Sequence, residues 1–262
     1  MIEAIRRAVG DIGAALRLSN VWMALASEDV VDSHRRTILG PVWPLLNYLL
    51  FVGTILLIIG HGGQPVNFTA YVASGLLVWL FISETLTLSA TLFVREQSFV
   101  KGTVLPISVY VLRQTMLAAI RAGYALAGAI PLILFSGVAI TPAAVSIVPA
   151  VLLLLITALA VTILFGFAGV FFRDFQFVVT NAMRLMIFIT PVFWVYEGQG
   201  GVRGIFYNWN PATHYIEIIR MPIIDGVVPA ASWAVAGSLT TFLCAAAILV
   251  LGKFGRQLVF MV

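Results

Sequence analysis

Four charged side chains stand inside long apolar runs of this sequence: Glu84, Arg113, Arg121 and Arg184. An ionisable group at membrane depth is costly, so it marks a pair, an ion path or a polar substrate. Glu84, Arg113 and Arg184 each lie about eight or nine residues from one end of a run, which at 1.5 Å per residue sets them roughly 12–14 Å inside it. One carboxylate and two guanidiniums at one depth predict an intramembrane Glu84–Arg113 pair, with Arg184 left to face a pore and meet hydroxyls or phosphate. Arg121 lies deeper and has no partner legible in the sequence.

A second group, His214, Glu217 and Arg220, is the only seed for acid–base catalysis, since His214 and Glu217 are three apart on one helical face. Its alternative is a Glu217–Arg220 pair that stabilises a short helix. Other chemistry is missing. No G-x-x-x-x-G-K-[ST] run cradles a nucleotide. His34, His61 and His214 are dispersed, and Cys244 is alone, so neither a metal set nor a disulfide framework is predicted. The reading is of a chain that is not an enzyme and carries no cofactor. Energy for any transport must come from another chain or an ion gradient.

The elements that position these residues follow from composition. Of 262 residues 61% are apolar and 10% charged, against roughly 45–50% and about 25% in soluble domains. That surface exceeds what a chain of this size buries internally, so part of it faces lipid. Soluble enzymes, nucleic-acid modules and disordered chains are excluded. A bilayer helix takes about 20 apolar residues, and six runs qualify: 40–60, 68–93, 105–135, 143–172, 176–196 and 230–252. The fold class is all-α integral membrane, divided into a cytoplasmic N-terminus, 1–39, and a six-span domain, 40–262. Within the first part, 16–31 reads as an amphipathic interface helix with Leu18, Val21, Trp22 and Leu25 on one face and Glu28, Asp29 and Asp32 on the other. The segment 197–229 is too apolar for a free loop and too broken by Pro211, Pro222 and Pro229 to span. It predicts short re-entrant helices covered by protein.

Arg6, Arg7, Arg17, Arg35, Arg36, Arg95, Lys101, Arg173, Lys253 and Arg256 fall on one side of these spans, and only Arg203 and Arg220 on the other. The positive side is cytoplasmic, which puts both termini inside. Trp43, Asn47, Phe51 and Thr54 form a polar-aromatic stripe on span one, facing protein or water. Phe188, Phe193, Trp194 and Tyr196 crowd the outer end of span five, either as an interfacial belt or as surfaces for stacking sugar rings. The inner loop 94–104 combines Arg95, Glu96 and Lys101 with Phe99, a pattern suited to docking in the groove of a cytoplasmic protein.

Four segments together resemble one family. Thr37-Ile38-Leu39-Gly40-Pro41-Val42-Trp43-Pro44 is similar to the S-x-L-G-x-x-W start of span one in type-2 ABC exporter permeases. Phe171-Phe172-Arg173-Asp174 resembles the F-R-D turn between spans four and five. Pro191-Val192-Phe193-Trp194 resembles the outer end of span five. The segment from Asn210 through Pro222, with Glu217 and Arg220, resembles N-P-x-x-x-x-x-E-x-x-R-x-P. Where the family often carries a basic run after its amphipathic helix, this chain has Asp29, Asp32, Ser33, His34, Arg35 and Arg36.

The resemblance, nearest to permeases for lipid-linked O-antigen, capsule and teichoic acid, implies a homodimer in a bacterial inner membrane. It implies two copies of an ABC ATPase subunit that bind ATP and Mg, and a lipid-linked polysaccharide as substrate. The pore would lie at the dimer interface, lined chiefly by spans one and five, with Trp43, Asn47, Phe51, Arg184, Phe188, Phe193 and Trp194 as its candidates. Arg95, Glu96, Phe99 and Lys101 would couple to the ATPase. Glu217 and Arg220 would sit in the re-entrant cap. Membrane lipids are expected partners and nucleic acid is not. The alternatives are the same fold exporting a drug or simpler lipid and, remotely, a membrane-embedded lipid-modifying enzyme.

Overall fold

The computed structural model describes residues 2–32, 37–60, 67–139, 141–196, 198 and 200–262, apart from the side chain of Pro41. His34, Arg35, Arg36 and His61 lie outside the described residues. Among those described, every regular element is helical. The helices are α1 (Ile2–Arg17), α2 (Ser19–Asp32), α3 (Trp43–Ile59), α4 (Phe68–Ser89), α5 (Leu92–Arg95), α6 (Gln97–Gly102), α7 (Ile107–Phe135), α8 (Ile147–Phe171), α9 (Phe175–Ile189), α10 (Val202–Trp209), α11 (Pro211–Ile224), α12 (Ala230–Phe254) and α13 (Leu258–Met261).

Four helical stretches are long and apolar enough to cross a bilayer: Phe68–Ser89, Ile107–Phe135, Pro142–Phe171 and Ala230–Met261. Two more, α3 and α9, are apolar but have 17 and 15 residues, or about 25 and 22 Å of rise. Span five was expected to reach 196 and ends at Ile189. Thr190 precedes Pro191 and is extended, at φ −81° and ψ 136°, as the proline ring requires of its predecessor. Span two was expected to reach 93 and ends at Ser89. After Ala90 and Thr91 the chain starts the separate helix α5, so the expected inner loop is instead two short helices, α5 and α6.

The long helices form one bundle. α4 packs against α7, α8 and α11, while α8 packs along α12. Their main core joins Tyr48, Val52, Val72, Leu76, Trp79, Ala118, Leu154, Ile216 and Ile218. A second core gathers at the other end of the bundle from Ala8, Leu92, Phe93, Val100, Tyr110, Ile163, Phe167, Leu251 and Leu258.

The N-terminal helices are part of this bundle. α1 lies along α12 and α2 along α7. Ala8 and Ala15 bury the inner face of α1, and at Gly252 a Cβ would collide with the Ala4 carbonyl, so the close approach of α1 to α12 needs glycine there. Asp11 accepts from the Ile107 and Ser108 amides at 3.1 and 2.9 Å and from Ser108 Oγ at 2.6 Å. It thereby caps the free N–H groups at the start of α7. The amphipathic element expected over 16–31 is thus divided at Leu18, and Asp29, expected on the polar outer face, turns onto α7.

Candidate functional site

The stripe expected on span one is present on α3. Asn47, Phe51 and Thr54 are exposed on one face, with Tyr48, Val52 and Ile55 buried on the other. Trp43, at the first turn, is half-buried. Asn47 and Phe51 line a groove of about 550 Å³ whose walls also carry Tyr48, Ser83, Glu84, Thr87 and Arg121. Here the sequence expectation is corrected. Glu84 accepts from Arg121 Nη1 at 2.6 Å, and not from Arg113. Arg113 pairs instead with Glu96, beyond the break after Ser89. Arg113 and Arg121, eight residues apart and so on one face of α7, each meet a different carboxylate. The groove thus offers the Glu84–Arg121 ion pair, the Asn47 amide, the Ser83 and Thr87 hydroxyls and the Phe51 ring, a set suited to a polyhydroxylated ligand.

Arg113 is the centre of a second network. Its Nε and Nη2 donate to both oxygens of Asp29 at 2.6 and 2.7 Å, and its Nη1 donates to Glu96 at 3.0 Å. Arg95 completes it, donating to Glu96 at 3.2 Å and to Gln114 Oε1 at 2.7 Å. A bidentate guanidinium–carboxylate pair is among the stronger polar contacts. Of the four residues assigned to coupling, Arg95 and Glu96 are therefore tied to α7, whereas Phe99 and Lys101 are exposed on α6. Phe99 is 56% exposed, an apolar ring in an otherwise polar stretch. The part of Asp29 was missed because a carboxylate on a helix reads first as a solvent-facing one.

α9 carries Phe177, Val178, Asn181, Arg184, Leu185 and Phe188 on one exposed face, and no hydrogen bond or ion pair holds Arg184 to another described residue. Beyond its end, the rings of Phe188 and Phe193 meet edge to face at 5.9 Å. Trp194 Nε1 donates to the Phe188 carbonyl at 3.1 Å, and the Trp194 carbonyl accepts from Tyr71 of α4 at 2.9 Å. The structure thus brings Phe188, Phe193 and Trp194 together at one end, and Asn47 and Phe51 together with Glu84 and Arg121. Within one chain these are two sites on helices that both pack against α4.

The outer segment forms α10 and α11. Asn210 caps α11, its Oδ1 accepting from the Ala212 amide at 3.0 Å while its Nδ2 donates to Thr190 at 2.8 Å. Pro211 takes the first helical position, where no amide hydrogen is needed. α11 is buried from Thr213 to Arg220. Tyr215, Thr157 and Thr240 hydrogen-bond one another across α11, α8 and α12 at 2.7–3.2 Å, as polar side chains do between packed apolar helices. Arg220, 1% exposed, donates to Glu217 at 3.1 Å and stacks 3.7 Å from the Tyr71 ring centre. A Cβ at position 75 would strike its guanidinium, so Gly75 makes the space. Burial pushes the Glu217 carboxyl above the ordinary carboxylate range, against the lowering influence of Arg220. His214 is engaged at both nitrogens, with Ser232 at 3.2 Å and the Asn208 carbonyl at 3.0 Å. The geometry is that of a packed ion pair and a bound histidine. No cluster of three metal-ligating side chains occurs among the described residues.

No protein-family model matches the chain. Two curated proteins of Klebsiella pneumoniae, each an O-antigen export system permease protein RfbA, are similar to it. One is 24% and the other 22% identical over 214 residues, which cover 80% of this chain and 83% of each relative. The resemblance drawn from four short motifs therefore extends over most of the chain. What the protein is similar to is a permease of polysaccharide export, in a multi-pass membrane chain.

Proposed function

We propose that this chain is the permease subunit of an ATP-driven exporter that moves a lipid-linked, O-antigen-like polysaccharide across a bacterial inner membrane. The observation that carries the reading is the groove where Asn47 and Phe51 meet the Glu84–Arg121 pair. An acceptor, donors and a ring face at membrane depth match a sugar's hydroxyls and apolar C–H face. The likeness to two O-antigen export permeases supports the same substrate class.

In this reading α3, α4, α7, α8, α9 and α12 are six spans, residues 1–39 form the cytoplasmic part, both termini are inside, and α10 and α11 are re-entrant helices. Two copies pair through the exposed faces of α3 and α9, closing Asn47, Phe51, Arg184 and Phe188 around one pore. Each copy takes one ATPase subunit on Phe99 and Lys101. Movement of α6 reaches α7 and α2 through Glu96, Arg113 and Asp29 as a rigid-body shift. ATP and Mg are held by the partner, so this chain needs neither nucleotide-binding nor catalytic residues. The test is a deletion strain. Removing the chain should leave finished polysaccharide inside the cell, and the wild-type gene should return it to the surface. Unchanged surface polysaccharide in the deletion strain would overturn the proposal.

A further inference from the structure

At the end of the bundle where α7 begins, α1, α6 and the chain after α12 enclose a cleft of about 810 Å³. Its charged walls are Glu3, Arg6, Arg7, Asp11, Lys101 and Arg256. Both acids are committed. Glu3 pairs with Arg7, and Asp11 takes three hydrogen bonds from the start of α7. Arg6, Lys101 and Arg256 have no carboxylate partner among the described residues. Three cations from three separate segments therefore converge on one concavity, an arrangement of like charges that an anion would stabilise. The rim is apolar. Val104 is fully exposed and Val259 lines the cleft, followed by Phe260 at 89% exposure. Cations at the head of a cleft with bare apolar groups at its edge match an amphiphile, with its phosphate inside and its acyl chains on the rim.

We infer that this cleft binds the headgroup phosphate of an anionic membrane phospholipid, which joins α1, α6 and the end of α12. The inference rests on the cytoplasmic placement of α1 under the proposed function. It needs neither export nor ATP, so the two fail separately. Labelling of Arg6→Cys, in a chain that also carries Cys244→Ser, by a membrane-impermeant reagent from outside would contradict the placement and overturn the inference with it.

The test is native mass spectrometry of the protein purified in a non-ionic detergent and offered phosphatidylglycerol and phosphatidylcholine together. The wild type should retain phosphatidylglycerol with a preference on the order of tenfold, as two or three cations near a headgroup supply. Arg6→Gln with Arg256→Gln should reduce this to near parity, and Arg6→Lys with Arg256→Lys should keep most of it. An unchanged preference in the Gln variant would overturn the assignment. Complete displacement of lipid by millimolar inorganic phosphate would make the cleft a free-phosphate site and overturn it too. Loss of the lipid whenever an ATPase subunit is bound would give the cleft to that protein, with the same consequence.

Discussion

Asp29 and Arg113 are joined by two hydrogen bonds, of 2.6 and 2.7 Å, across 84 residues of chain. This pair fastens α2 to α7, and the third nitrogen of Arg113 continues the connection to Glu96, next to the short helix that presents Phe99. Replacing Asp29 by Ala leaves Arg113 with Glu96 alone. It should lower the stability of the detergent-solubilised protein by about 1.5–3 kcal/mol, the usual worth of hydrogen bonds to a charged group. Thermal unfolding followed by size-exclusion fluorescence measures this, and an unchanged midpoint would mean that the Asp29–Arg113 pair does not hold α2.

Glu84 and Arg121 are partly open to the groove, at 27% and 23% side-chain exposure. Arg121→Ala should therefore reduce export more than it reduces the amount of protein in the membrane. A roughly tenfold loss corresponds to about 1.4 kcal/mol of lost interaction. Surface polysaccharide per permease is the quantity to compare. If abundance falls in step with export, the pair holds α4 to α7 and does not meet substrate.

Arg184 supplies the matching test on α9. It is exposed and held by no side chain among the described residues, so Arg184→Ala should leave abundance unaltered. Export should drop if the α9 face lines the pore. Normal export by this variant would remove α9 from the pore wall.

Glu217 and Arg220 form a buried pair in α11. Glu217→Ala strands a buried cation and should cost about 3–5 kcal/mol. Replacing both residues with apolar ones should cost much less, because the desolvation penalty disappears with the charges. Gly75→Ala should cost about 1–3 kcal/mol by forcing the guanidinium off its seat. Thermal midpoints of the single and double variants decide between these effects.

Much of the architecture was legible in the residues because it depends on local composition. Most of the apolar runs fall within a few residues of helices, span five alone ending well short, at Ile189. Side-chain pairing was not legible. Whether Glu84 meets Arg113 or Arg121 depends on the register in which α4 packs along α7, which neither helix records alone. Asp29 looked like the wet side of an amphipathic helix because helical periodicity describes one helix at a time, and Asp11 carried no signal of a partner. Nothing within residues 1–39 records that α7 offers them unsatisfied amides and a guanidinium.

Co-purification decides whether this chain works with a separate ATPase. The chain, tagged at its C-terminus, would be extracted in mild detergent with and without ATP, alongside Phe99→Asp. A stoichiometric partner with nucleotide-binding motifs, two copies per two permeases, should accompany the wild type and be lost in Phe99→Asp while the permease itself stays monodisperse. A wild-type chain that purifies without any ATPase, in every gentle detergent and nucleotide condition, would overturn the proposed function.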